Sequence, residues 1–116
     1  MSIHFYGIPN CDTVKKARRW LDEKGLAYVF HDYKKEGADP AKLAAWSDEA
    51  GWDALLNRRG TTFRKLDEAD REDMDRAKAI GLMEAHPSLI KRPVVEHPGG
   101  LLVGFDVAEW EAALKI

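Results

Sequence analysis

The sequence predicts an α/β domain in which a mixed four-stranded sheet, ordered β-α-β and then β-β-α, is interrupted by a helical insertion over about residues 39–86. Three observations carry this prediction. Strand-like segments at 3–7 and 27–31 flank one amphipathic helix, a spacing that fits a crossover unit and therefore a parallel pair of strands. The middle of the chain reads as helical throughout. After Pro93, two short apolar runs bracket a turn and lead into a last helix, which is the pattern of a β-hairpin with a helix behind it. A chain of 116 residues is expected to form one domain, and it can bury a core without disulfides or a structural metal.

The elements follow in order. Ile3-His4-Phe5-Tyr6-Gly7 is aromatic and β-branched, as a strand requires. Gly7-Ile8-Pro9-Asn10 breaks it, and Asn or Asp there can cap the next helix. From about 12 to 24, Val14, Ala17 and Leu21 recur on one face, with Lys15, Lys16, Arg19, Asp22 and Glu23 largely outside it. Gly25 stops that helix, and Ala27 to His31 is the second strand. Asp39-Pro40 opens a helix through Leu43, Ala44 and Trp46 to near Gly51, and Trp52 to Leu56 is a short apolar turn. Asn57 to Lys65 is a polar loop. The segment from about 67 to 85 is helical and highly charged, with Met74, Ala77, Ile80, Leu82 and Met83 available for burial, and His86-Pro87 ends it. Val94-Val95-Glu96 is a strand entered through a proline, His97-Pro98-Gly99-Gly100 is a turn, and Leu101 to Phe105 is the returning strand. Asp106 caps a helix through Val107, Trp110, Ala113 and Leu114. This is the order of a thioredoxin-like fold with an inserted helical subdomain.

Composition removes several function classes. Eighteen Lys+Arg against 20 Asp+Glu give a net charge of -2, which offers no global attraction for nucleic acid or an anionic membrane surface. No apolar run approaches the roughly 18 residues that span a bilayer. One cysteine cannot form an internal disulfide, a CxxC pair or a cysteine-rich zinc site. A free thiol, with no basic leader ahead of the first strand, is expected in the reducing cytoplasm. His4, His31, His86 and His97 lack ligand spacing and read as structural or exposed, so no metal is expected. No P-loop, GxGxxG, GxSxG or HExxH occurs.

Cys11 is the leading candidate for chemistry because of its place. It lies in the loop after the first strand, at or just before a helix N-terminus, where unpaired N–H groups and the helix dipole favour a thiolate. If the helix begins by Cys11, Lys15 at i+4 puts an ammonium on the same side. Against this stands the ordinary behaviour of free cysteines, which are buried and inert more often than reactive. Arg92-Pro93 reads two ways. It is a surface arginine beside an edge-strand proline, or, in a thioredoxin-like fold, a loop at the same end of the sheet as Cys11. Arg58, Arg59, Arg64 and Lys65 around Gly60-Thr61-Thr62 suit an oxyanion or a carboxylate-rich ligand, and equally a solvated charge cluster.

Several segments in order resemble the ArsC/Spx family, in particular its small YffB-type branch. They are Tyr6-Gly7-Ile8-Pro9-Asn10-Cys11-Asp12-Thr13-Val14-Lys15-Lys16-Ala17-Arg18, Phe30-His31-Asp32-Tyr33-Lys34, Leu55 to Leu66, His86-Pro87-Ser88-Leu89-Ile90-Lys91-Arg92-Pro93 and Leu102-Val103-Gly104-Phe105. The resemblance implies a nucleophilic Cys11 and a functional Arg92 before a cis Pro93; Asn10, Lys15, Arg58, Arg59, Arg64 and Pro93 are the substrate-binding candidates. Glutaredoxin-linked arsenate reductases of this family hold their oxyanion with three arginines. Here Asn57 stands where the first is expected, Arg92 matches the second, and Gly104-Phe105 offers no third. Spx regulators, which bind RNA polymerase, carry a CxxC switch, whereas the fourth position here is Val14. The expectation is therefore a monomeric thiol reductase in which Cys11 attacks a disulfide or oxyanion. An external thiol, glutathione itself or glutathione acting through glutaredoxin, completes its cycle as cosubstrate, with no tightly bound cofactor. Arsenate reduction and polymerase binding without catalysis are the alternatives.

Overall fold

Phe5 and Gly7 are buried while His4 and Tyr6, alternating with them, are half-buried, the alternation of a strand with two covered faces of different character. This strand, β1 (His4–Gly7), pairs in parallel with β2 (Val29–Asp32), placing Phe5 opposite Phe30 and Gly7 opposite Asp32. On its other side it pairs antiparallel with β3 (Val94–His97), with Tyr6 opposite Val94, and β4 (Gly100–Val103) completes the sheet in the order β2-β1-β3-β4. The mixed sheet and its connections are thioredoxin-like, as the sequence predicts. The computed structural model describes residues 2–115, in two units: one from the chain up to Glu36 and from Arg92 onward, the other from Gly37–Lys91.

In the sheet unit, α1 (Asp12–Glu23) buries Val14, Ala17 and Leu21, the stripe visible in the sequence. Gly7 allows the helix to lie this close, because a Cβ there would stand 3.0 Å from Val14 Cγ2. Gly25 ends the connection with φ +70, in the left-handed region that favours glycine. β2 begins two residues later than expected, because its pairing with β1 starts at Val29 opposite His4. A one-turn helix, α2 (Tyr33–Glu36), follows directly, its turn stabilised by the Asp32 carboxylate accepting from the Lys34 N–H at 2.8 Å.

The helical unit holds α3 (Pro40–Ala50), α4 (Trp52–Leu55), α5 (Thr61–Arg64), α6 (Glu68–Arg71) and α7 (Arg76–Ala85), with α3 packed on α4 and α7. Asp39 caps α3 by accepting from the Ala41 N–H at 2.9 Å. Two expectations are corrected here. The 57–65 loop contains the turn of α5, and the charged 67–85 segment is two helices instead of one continuous run. The break has a local cause: Asp73 adopts φ 49 and Asp75 caps α7 through the Lys78 N–H at 2.8 Å, since aspartate favours caps over helix interiors. Ala77 is consequently exposed, while Ala79 and Met83 are buried.

α8 (Val107–Leu114) closes the sheet unit, capped by Asp106, which accepts from the Glu109 N–H at 3.0 Å. Phe5, Val14, Ala17, Leu21, Val95, Leu102 and Trp110 form the core on this face of the sheet. β4 ends at Val103, short of the expected Phe105, because Gly104 (φ +79) turns the chain. Phe105 instead packs edge-on against Trp110 at 4.9 Å between ring centroids. The Trp110 indole N–H donates to the Gly104 carbonyl at 3.0 Å, so the corner and the helix fix each other.

Candidate active site at the end of the sheet

Parallel β1 and β2 both end, and antiparallel β3 begins, at one end of the sheet. Three chain segments therefore meet there: the loop carrying Cys11, the residues after Asp32, and Arg92-Pro93 ahead of Val94. Cys11 is itself the N-cap of α1, in extended conformation, and its carbonyl accepts the Lys15 N–H at 2.9 Å. Asn10 and Asp12, the capping residue types expected there, flank this position without occupying it. The cysteine is partly exposed. Burial by itself would push its thiol up, but the opposing influences win. The N–H dipole of Val14, the hydrogen-bonding and positively charged Arg92 guanidinium, and the N–H of Thr13 together hold the thiol below its ordinary value. The two N–H groups act without closing a regular capping hydrogen bond.

The Arg92–Pro93 peptide bond is cis, and Pro93 is fully buried. The Arg92 guanidinium acts on the Cys11 sulfur both as a hydrogen-bond donor and as a charge. Lys15 takes part through its backbone; its ammonium is exposed and is not among the groups that lower the thiol. Asn10 is exposed beside Cys11. Arg58, Arg59 and Arg64 belong to the helical unit and are exposed there. Arg58 lies over the Trp52 ring at 5.4 Å, and the Arg59 N–H donates to the Asn57 side chain at 3.1 Å.

On the sheet face opposite α1, sequence reading misses a polar cluster. His4 Nδ1 and His31 Nε2 are 2.9 Å apart, and His31 Nδ1 lies 3.0 Å from Glu36 Oε1, so these histidines do gather despite lying far apart in sequence. The Tyr6 ring stacks on His31 at 4.4 Å and its hydroxyl donates to Glu96 at 3.1 Å. Tyr33 stacks with Tyr6 at 6.4 Å between ring centroids. The available signal is the period of two, which puts His4 and Tyr6 on one face of the first strand. No group of His, Cys, Asp and Glu able to hold a metal ion is present among the described residues. An apolar cavity of about 550 Å³ lies at the other end of the sheet, lined by Ile3, Leu26, Pro98 and Leu114 among others. No described helix is long and apolar enough to cross a membrane.

Comparison with known proteins agrees with this architecture. A solved structure of the YFFB protein shares 58% identity, with a TM-score of 0.95 over 97% of this chain and 99% of that one. The solution structure of an arsenate reductase (ArsC) related protein from Brucella melitensis shares 54% identity, with a TM-score of 0.78 over 100% of this chain and 97% of that one. The global transcriptional regulator Spx of Bacillus subtilis is 29% identical over 92% of this chain and 82% of its own length. The ArsC family model matches residues 6–113, which include Cys11 and the cis Arg92–Pro93 bond, and the chain belongs to the ArsC family.

Proposed function

We propose that the protein is a glutathione-dependent thiol reductase with Cys11 as its single nucleophile. The observation that carries this reading is the convergence of the Val14 and Thr13 N–H groups and the Arg92 guanidinium on one partly exposed sulfur. In the first step the Cys11 thiolate attacks one sulfur of a disulfide such as a glutathione mixed disulfide. A new S–S bond forms, the old one breaks, and its electron pair leaves on the departing thiolate. In the second step an external glutathione thiolate attacks the mixed disulfide on Cys11, forms glutathione disulfide and returns Cys11 as thiolate. The sum converts one disulfide and one thiol into another disulfide and another thiol, so no further oxidant or reductant is needed. Arg92 stabilises the Cys11 thiolate at the start and as it leaves.

The test is incubation with oxidised glutathione followed by mass spectrometry. A single adduct is expected, absent in Cys11→Ser and released by reduced glutathione. An unmodified protein would overturn the reading. The likeness to Spx supports a second reading, a polymerase-binding protein without catalysis. Retention of RNA polymerase by the immobilised protein, together with no glutathione turnover, would favour that one.

A further inference from the structure

Tyr33 is 2% exposed, and its hydroxyl is buried with no hydrogen-bond partner among the described residues. Such a group is costly to leave unmade and calls for an explanation. It directly follows Asp32, which pairs with the last residue of β1, so it lies at the same end of the sheet as Cys11. Its ring stacks with Tyr6, which pairs with Val94 just beyond Arg92-Pro93. The charges that act on its hydroxyl are those of Arg92, Tyr6 and Glu96. Arg92 therefore acts on both the Cys11 sulfur and the Tyr33 hydroxyl.

A guanidinium cannot shed its proton and carries five N–H donors, so whatever its other donors hold, the one that serves the sulfur favours an acceptor in every state of the cycle. While Cys11 is a thiolate, the sulfur is an anionic acceptor and a neutral hydroxyl oxygen cannot compete with it. Once that sulfur is protonated or bound in a disulfide, it becomes a poor acceptor, and the vacant lone pairs of Tyr33 are the better one. We propose that Tyr33 is a positioning residue for Arg92, its hydroxyl oxygen accepting a guanidinium N–H whenever Cys11 is not a thiolate. Burial pushes the Tyr33 ionisation far above the ordinary phenol range, against a smaller opposing pull from Arg92. The hydroxyl thus stays neutral and never draws Arg92 away from the thiolate. The catalytic consequence rests on the thiol-exchange reading: Tyr33 keeps Arg92 within reach of the mixed disulfide until the Cys11 thiolate re-forms.

Linkage makes the test one of sign. Tyr33 would stabilise the thiol and the disulfide of Cys11 but not the thiolate, so Tyr33→Phe should lower the pH midpoint of Cys11 alkylation. A hydrogen bond of ordinary strength gives a fall of roughly half to one pH unit. Arg92→Ala should raise the midpoint, and adding Tyr33→Phe to that variant should change nothing more. In the same proportion, roughly threefold to tenfold, Tyr33→Phe should reduce the equilibrium constant for forming the glutathione adduct from oxidised glutathione above the midpoint. A midpoint that is unchanged or raised in Tyr33→Phe would overturn the proposal. So would an equal fall in the Arg92→Ala background, because Tyr33 would then act on Cys11 without Arg92. Circular dichroism of Tyr33→Phe should match the parent, since the variant keeps the buried ring and removes only the hydroxyl oxygen. If the parent protein forms no glutathione adduct, the thiol-exchange reading falls, and the alkylation cycle still decides the role of Tyr33.

Discussion

Cys11 has a helix start beneath it and a guanidinium beside it, and the two contributions are separable. Burial opposes ionisation, and the Val14 N–H, Arg92 and the Thr13 N–H overcome it. Arg92→Ala removes both a hydrogen bond and a full charge while leaving the helix N-terminus in place. Its alkylation midpoint is expected to rise by about one pH unit, the lower end of what a close opposite charge contributes. The direction also fixes a stability effect. A thiol whose folded value is depressed contributes stability that is complete above its unfolded value and is lost as pH falls through the folded one. Urea unfolding of the parent and Cys11→Ser should therefore differ most, in the parent's favour, above the unfolded thiol's value near pH 9, and converge as the pH falls through the folded value.

Elements hold this residue where it is. Gly7 brings α1 against β1, and a methyl group there would crowd Val14 at 3.0 Å. Gly7→Ala is expected to cost about 1–3 kcal/mol in urea unfolding. It should also disturb the Cys11 midpoint, because Val14 supplies one of the N–H groups on the sulfur. Asp39→Ala removes the cap of α3, in the unit that supplies none of the groups acting on the thiol, so it should cost about 1 kcal/mol and leave the Cys11 midpoint unmoved. Together the two variants distinguish a loss of stability from a loss of site geometry. The cluster of His4, His31 and Glu36 ties β1, β2 and α2 on the other face of the sheet.

At the scale of the whole molecule the question is which substrates the donor set can serve. A multiply charged oxyanion needs several fixed donors, and each missing charge-assisted hydrogen bond costs about 1.5–3 kcal/mol. The Gly104-Phe105 corner, one place where an arginine is absent, holds a phenyl ring packed on Trp20 and Trp110. Asn57, the other, has its side-chain oxygen engaged by the Arg59 N–H. Two missing contacts amount to roughly two to four orders of magnitude. Arsenate turnover with glutathione and glutaredoxin is therefore expected to be weak or undetectable under conditions where the glutathione adduct forms readily. Strong arsenate reduction dependent on Cys11 and Arg92 would show that other cations supply the missing contacts.

Local physics was legible in the sequence. The Val14, Ala17 and Leu21 stripe, the Asp39 and Asp106 caps and the stop at Gly25 depend on neighbours within a turn or two, so residue spacing alone determined them. Family resemblance added Cys11 and Arg92-Pro93 as a pair. Spacing alone left Arg92 ambiguous, since its placement on the sulfur depends on antiparallel pairing between distant segments. The helix break at Asp73 was missed because a charged, apolar-periodic run reads as continuous until the cap at Asp75 competes with it. The His4–His31 contact and the partnerless Tyr33 hydroxyl were decided only by the tertiary structure. Strand register sets which side chains share a face, and burial sets which polar atoms lose their water. Both depend on residues far apart in the chain, which no local pattern records.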